Sequence, residues 1–343
     1  MSLGNLKENT RFFMEYYNIP GTELEVSRIA LGTWAIGGWM WGGTEKERSI
    51  ETVHAALDRG VTLIDTAPVY GFGTSEKIVG EALRQHKDGH AACLSTKVGL
   101  DWNEDEEIRR DGSRDRIRYE IDASLSRLGR DKIDIYFVHW PDCTRPIAET
   151  ARAMRELLDE GMIRAVGVSN FTPDQMRVFM QECPVHLCQP PFNIFERDIE
   201  TGVKPFCEHN DISLMTYGAL CRGLLSGKMS ADREFEGDDL RKVDPKFSEP
   251  RFSQYLAAAE KLEAVARDRF DKSLLAFSLR WILEQNVPIA IWGGRKPSQM
   301  APIDETLGWS MDLAALSSVD SILSEHIEKP VGPEFMAPPT GCC

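Results

Sequence analysis

Short apolar runs alternate with amphipathic stretches over most of this chain. The runs are Ile29–Trp34, Val61–Asp65, Ala91–Lys97, Ile133–Trp140, Ile163–Ser169, Val185–Pro190, Ile212–Tyr217 and Val287–Trp292. Near-continuous hydrophobicity predicts strands buried on both faces, as in a parallel sheet. Between them, KERSIETVHAALDRG, SEKIVGEALRQ, RDRIRYEIDASLSRLG, IAETARAMRELLDEG and TPDQMRVFMQEC place apolar residues at helical spacing. Several begin after Ser or Thr and stop at Gly, as helix capping favours. Further helices are expected over Ile199–Glu208, Pro250–Phe270, Ser273–Glu284 and Pro297–Thr306.

Eight strand–helix units without a linker predict one α/β domain, a (β/α)8 or TIM barrel over residues 14–330. A doubly wound sheet is the competing architecture. The stretch EYYNIPGTELEVSRIALG suits a hairpin capping the barrel floor, and an extra helix and loop are expected after the last strand. Residues 1–13 and 331–343 read as loosely attached tails. The charged, weakly periodic segment Gly223–Pro250 reads as one long loop, and loops of that length in compact domains are usually functional.

A net charge of -14 argues against a basic face for nucleic acid or an anionic membrane. No run is long enough to span a bilayer, and the opening MSLGNLKENTRFF lacks the apolar core of a signal peptide. The eight cysteines contain no CxxC pair, so free thiols in a reducing cytoplasm are expected. Cys183, His186 and Cys188 come nearest to a metal set, but no fourth ligand is in view and no metal is expected.

Four polar residues stand at or just beyond strand ends: Asp65, Tyr70, Lys97 and His139. In parallel sheets and barrels those ends are where catalytic groups gather. Each has an ordinary alternative as a turn residue, packing aromatic, solvated strand end or core histidine. Together they suit proton transfer. A phenol with a reference pKa of about 10 would be tuned by a neighbouring ammonium, itself held by a carboxylate. His139 would orient a carbonyl against the phenol.

These four groups include no reductant. Later strand ends offer groups for a cofactor: Ser169, Asn170 and Gln189 for a carboxamide, and Tyr217 for stacking. After it, YGALCRGLLSGK has small residues that let backbone amides approach phosphates. GGRKPSQ sets Arg295 and Lys296 beside an expected helix start. GFGTSE is no dinucleotide fingerprint, because it lacks the third glycine and follows the second strand.

With these residues in view, the chain resembles the aldo-keto reductase family, in its branch of bacterial general reductases. The resemblance runs from about Met14 to about Leu316 through GVTLIDTAPVYGFGTSEKIVGEAL, LSTKVG, IDIYFVHWPD, IRAVGVSNF and YGALCRGLLSGK. It implies a barrel that binds a nicotinamide cofactor, with Asp65, Tyr70, Lys97 and His139 as the catalytic tetrad. It also implies cofactor contacts from Gly32, Thr33, Trp34, Ser169, Asn170, Gln189 and Tyr217. Gly218, Leu220, Arg222, Leu224, Ser226 and Lys228 fall on the pyrophosphate side. Gly294, Arg295, Lys296 and Gln299 fall near the adenosine 2′-phosphate, which favours NADP(H) over NAD(H). Two departures stand out: WGGRK replaces a Pro-Gly or Pro-Lys, and Ile303 stands where an Asn often touches adenine, with Asp304 beside it.

The expected activity is reversible, NADPH-dependent reduction of small aldehydes, ketones or sugars, in a substrate pocket walled by Trp39, Trp41, Phe72 and Trp140. A nicotinamide-binding regulatory subunit and an NAD-preferring polyol or sugar dehydrogenase are the alternatives; a barrel isomerase or aldolase ranks behind both. The oligomeric state is not legible.

Overall fold

The computed structural model describes residues 14–339; the expected tail at 1–13 lies outside the described residues. An antiparallel hairpin, β1 (Tyr16–Asn18) and β2 (Glu25–Ser27), comes first. The remaining strands are β3 (Ile29–Gly32), β4 (Leu63–Asp65), β5 (Cys93–Val98), β6 (Leu100–Trp102), β7 (Ile108–Arg110), β8 (Ile133–Val138), β9 (Ile163–Ser169), β10 (Leu187–Gln189), β11 (Ser213–Thr216) and β12 (Ile289–Gly293). Strands β3, β4, β5, β8, β9, β10, β11 and β12 close into a parallel barrel, β12 pairing back onto β3. All eight expected strands are present, and the doubly wound sheet is excluded.

The helices are α1 (Trp34–Gly37), α2 (Lys46–Leu57), α3 (Thr74–Gln85), α4 (Arg114–Leu128), α5 (Ile147–Asp159), α6 (Pro173–Met180), α7 (Val203–His209), α8 (Arg251–Phe270), α9 (Leu274–Glu284), α10 (Ile303–Thr306) and α11 (Leu313–His326). Ser113 caps α4, and Thr172 with Gln175 forms a reciprocal capping box on α6. Helix α11 is the expected C-terminal addition. Among the described residues no helix is long and apolar enough to cross a membrane.

Two apolar layers follow from the strand pattern. Ala30, Leu63, Ile135, Phe137, Ala165, Leu187, Met215 and Ile289 fill the barrel, and Ile19, Leu24 and Val26 of the hairpin segment close it. The hairpin is thus the floor the sequence predicts. The outer faces pack on the helices through residues such as Ile64, Val79, Ile121, Tyr136, Met154 and Phe179. Cys93, Cys183, Cys188, Cys207 and Cys221 are buried free thiols. His186 accepts the Val166 amide on its Nδ1.

Some boundaries move for local reasons. The run Ile29–Trp34 ends as a strand at Gly32, because Thr33 turns its amide and hydroxyl onto the Asp65 carbonyl and the chain enters α1. The segment after β11 contains two short turns, Leu240–Lys242 and Pro245–Phe247, capped by Asp239 and Asp244. Its Asp238 carboxylate accepts the Met40 and Gly42 amides, so it reaches the loop after α1 as a strap. Residues 331–339, expected as a loose tail, are tied down: Lys246 donates to the Gly332 carbonyl at 2.9 Å and Arg110 to the Pro338 carbonyl at 2.9 Å.

Candidate active site

Strand ends β4, β5 and β8 bring the four sequence-predicted groups together. Lys97, with no exposed surface, donates to Asp65 Oδ2 at 2.7 Å and to the Thr66 carbonyl at 2.8 Å. Its Nζ stands 5.0 Å from the centre of the Tyr70 ring. Asp65 is held from its other oxygen by Ser95 Oγ (2.7 Å) and Gln189 Nε2 (3.0 Å). His139 meets the Tyr70 ring edge-on, with centroids 5.8 Å apart. Neither the Tyr70 hydroxyl nor the His139 ring hydrogen-bonds to another described residue.

Glycine makes the Tyr70 turn possible. A Cβ on Gly71 would lie 2.1 Å from the Gly37 carbonyl oxygen, and one on Gly37 would lie 2.5 Å from the Tyr70 oxygen. Backbone therefore crosses backbone here, which only glycine allows. This crossing sets Tyr70 beside α1, where Trp34 stacks on its ring at 5.9 Å.

The electrostatics correct one expectation. A neighbouring ammonium was expected to lower the Tyr70 pKa, but burial, reinforced by Asp65, holds it well above 10. Burial penalises the phenolate, and the Lys97 charge that would favour it is already committed to Asp65 and Thr66. Burial pulls Lys97 itself below its ordinary 10.5, against the opposing pull of Asp65. Burial, then the nearby Lys97 charge, pushes His139 well below 6.5. The mouth therefore holds a protonated phenol and a neutral imidazole at neutral pH, a set suited to giving a proton to a bound oxygen.

The predicted amide groups adjoin this set. Asn170 donates to the His139 carbonyl and to Ser169 Oγ, both at 3.0 Å, and accepts the Tyr217 hydroxyl at 2.9 Å. Ser169 Oγ donates to the Gln189 carbonyl at 2.7 Å. Gly32 pairs with Asp65 and Gly293 in the barrel register. After Tyr217 and Gly218, Leu220 is half-buried, Ser226 Oγ donates to the Gly223 carbonyl, and Lys228 is exposed.

Two side chains of that turn have their partners inside the protein. The Leu224 side chain belongs to the core. Arg222 is buried against Glu196 and Asp244, because two carboxylates there satisfy its guanidinium. Beyond β12, Gln299 Oε1 accepts the Arg295 amide at 3.0 Å, while the Arg295 guanidinium donates to the Trp41 carbonyl. Lys296 is exposed. Ile303 is buried, and Asp304 faces away, 3.8 Å from Arg59.

Comparison with known proteins agrees with this geometry. A family model described as the aldo/keto reductase family matches residues 28–322. The chain belongs to the aldo/keto reductase family. It is 52% identical over 328 residues to the aldo-keto reductase YhdN of Bacillus subtilis (strain 168), spanning 95% of this chain and 99% of the relative. It is 36% identical over 287 residues to an NADH-specific methylglyoxal reductase of Escherichia coli (strain K12), spanning 80% and 87%. Among solved structures, the glycerol dehydrogenase AKR11B4 from Gluconobacter oxydans superposes with a TM-score of 0.86 at 48% identity, covering 94% of this chain and 99% of that one. Like its family, the chain is an NAD(P)-dependent oxidoreductase.

The reductase surrounds Tyr70 with aromatic rings. Trp39 lies 5.4 Å from Phe72, and Phe72 lies 5.6 Å from Trp102. Trp140 belongs to the same apolar cluster, with Arg110 stacked over it at 4.9 Å. Trp41 stands apart from that cluster, edge-on to Trp34 at 5.8 Å and under Arg241 of the strap. Sequence reasoning missed Trp102 and Arg110, because the β6–β7 hairpin is only three residues long on each strand and reads as polar loop. A separate cavity of about 630 Å³, lined by residues such as Phe195, Glu196, Asp320 and Val331, contains none of the tetrad. The chemistry argues for the mouth over that cavity.

The donor set at the mouth fits a nicotinamide dinucleotide. A half-buried phenol ring, Tyr217, adjoins three amide and hydroxyl side chains. The turn beyond it runs through left-handed residues at 221–223, and two cations stand after Gly294. These are the chemical types a ring, a carboxamide and phosphates require.

Proposed function

We propose that this reductase converts small aldehydes, ketones or sugars to alcohols, reversibly, with Tyr70 as the proton donor and NADPH as the preferred cofactor. The observation that carries the reading is the pair of unused polar tips, Tyr70 hydroxyl and His139 ring, side by side in an aromatic mouth. His139, neutral, orients the carbonyl oxygen toward the phenol; Tyr70 donates its proton to that oxygen. Lys97 and Asp65 hold the phenol in place from behind. Ser169, Asn170, Gln189 and Tyr217 would hold the nicotinamide, which supplies the hydride when bound. The aromatic rings around Tyr70 exclude water and receive the carbon skeleton.

Exposed Lys296 supports a 2′-phosphate contact. The tie between Arg295 and the Trp41 carbonyl favours the second reading, an NAD-preferring polyol or sugar dehydrogenase. An NADH-specific reductase and a glycerol dehydrogenase stand among the relatives. The test is Tyr70→Phe beside wild type, each with NADPH and NADH, over small aldehydes and sugars. Turnover should fall by about a thousandfold, with dinucleotide binding intact by fluorescence titration. Unchanged turnover in the variant removes Tyr70 from the chemistry. Wild-type preference for NADH keeps the chemistry and overturns the cofactor assignment.

A further inference from the structure

The turn after β11 holds unusually constrained backbone. Cys221 (φ 46°) and Arg222 (φ 52°) are consecutive non-glycine residues in the left-handed region, followed by Gly223 at 101°. Side-chain-bearing residues keep such conformations only where their surroundings over-determine them. Here the determining contacts come from Arg222 itself. Its Nε donates to Asp244 Oδ2 at 2.8 Å, its Nη1 to Glu196 Oε2 at 3.0 Å, and its Nη2 to Glu196 Oε1. Glu196 Oε1 also lies 2.8 Å from Lys246 Nζ, and its Oε2 takes Asn193 Nδ2 at 2.7 Å. Asn193 reaches the Gly218 carbonyl at 3.0 Å, directly after Tyr217.

Arg222, Glu196, Asp244 and Lys246 are all buried, and their two positive and two negative charges cancel. They knot together four separate stretches of chain: the loop after β10, the turn after β11, the strap, and the C-terminal segment through Gly332. A guanidinium so engaged would have to abandon two buried carboxylates to reach a phosphate, leaving Lys246 as the one cation beside both.

We propose that Arg222 is a positioning residue: with Glu196, Asp244 and Lys246 it anchors the 218–227 turn and the strap in the shape that receives the dinucleotide, without touching phosphate. The proposal rests on the cofactor reading above. Asp244→Asn in the full chain separates anchoring from simple electrostatics by sign. Removing a negative charge near an anionic ligand should tighten binding if charge alone matters. Loosening an anchor should weaken it.

The expected result is a Kd for NADPH about tenfold higher by fluorescence titration, the scale seen when supporting contacts are removed. Amides of 218–227 should also exchange hydrogen faster in the ligand-free protein. Because a single substitution leaves the knot unbalanced, Arg222→Met/Asp244→Asn is the companion variant, with the remaining Glu196–Lys246 pair neutral. It should weaken binding similarly and keep the wild-type salt dependence. Unchanged or tighter binding in Asp244→Asn, or a flattened salt dependence in the double variant, overturns the proposal. If the wild-type protein binds neither NADPH nor NADH, the functional reading fails. Hydrogen exchange of the ligand-free turn then decides the anchor by itself, and unchanged protection sinks it.

Discussion

Lys97 and Lys246 are both lysines without exposed surface, both beside an aspartate, one at the end of β5 and the other in the strap. Around Lys246 the polar groups are used up: Glu196 takes Arg222, Lys246 and Asn193, and Asp244 takes Arg222 and the Lys246 amide. Around Lys97 the network stops one step short. Asp65 and Thr66 are satisfied, but the next groups outward, the Tyr70 hydroxyl and His139 ring, bond to no other described residue. Tyr70 and His139 are half-exposed, so a network that ends on their unused tips opens to a ligand, whereas a closed one is scaffold.

Substituting each lysine by methionine puts that contrast at risk. Lys97→Met should lower kcat by about a thousandfold. The fold should survive at a cost of about 3–5 kcal/mol for the broken buried pair, because Asp65 keeps Ser95 and Gln189 as donors; steady-state kinetics with thermal melting checks both. A variant that keeps its turnover would place Lys97 with Lys246 as scaffold. Lys246→Met should differ in turnover, leaving kcat near the wild-type value. It breaks a buried pair and leaves Arg222 as the one cation beside two carboxylates, at a cost of about 3–5 kcal/mol in urea unfolding. Its loss of dinucleotide affinity should exceed its loss of kcat at saturating cofactor. Wild-type stability in that variant would show that the knot holds nothing.

The two regions were unequally legible. The barrel could be read because each strand is a short apolar run, and the tetrad because Asp65, Lys97 and His139 end such runs. The knot was not, because its members come from distant positions and none sits in a periodic element. Arg222, which the resemblance sets on the pyrophosphate side, has its guanidinium claimed by Glu196 and Asp244, and no local pattern announces that pairing. The sign of the Tyr70 shift was misread for a related reason. Burial, which no local pattern shows, penalises the phenolate first, and the ammonium that would favour it is already paired with Asp65. The tail after Pro330 looked loose because its anchors are scattered contacts to Lys246, Arg110, Tyr255 and Arg222, which composition cannot reveal.

The smallest expected effect concerns pH, and it sharpens the contrast from the side of the open network. Burial, with the Lys97 charge, keeps His139 neutral in the folded chain well below the ordinary value of 6.5. In the unfolded chain the imidazole regains a pKa of about 6.5. Below that pH the unfolded state binds a proton that the folded state refuses, so stability must fall as pH drops. The slope is at most about 1.4 kcal/mol per pH unit, and the contribution is fully present above pH of about 7.5. Activity should not follow. With Tyr70 protonated and His139 neutral across the same range, kcat/KM for reduction should show no step near pH 6.5. Urea unfolding at two pH values beside a pH–rate profile tests both halves, and His139→Gln should reduce the stability slope. A rate step near pH 6.5 that vanishes in His139→Gln would mean the imidazole titrates freely, and the mouth would then be a solvated charge cluster instead of a network held open for a carbonyl.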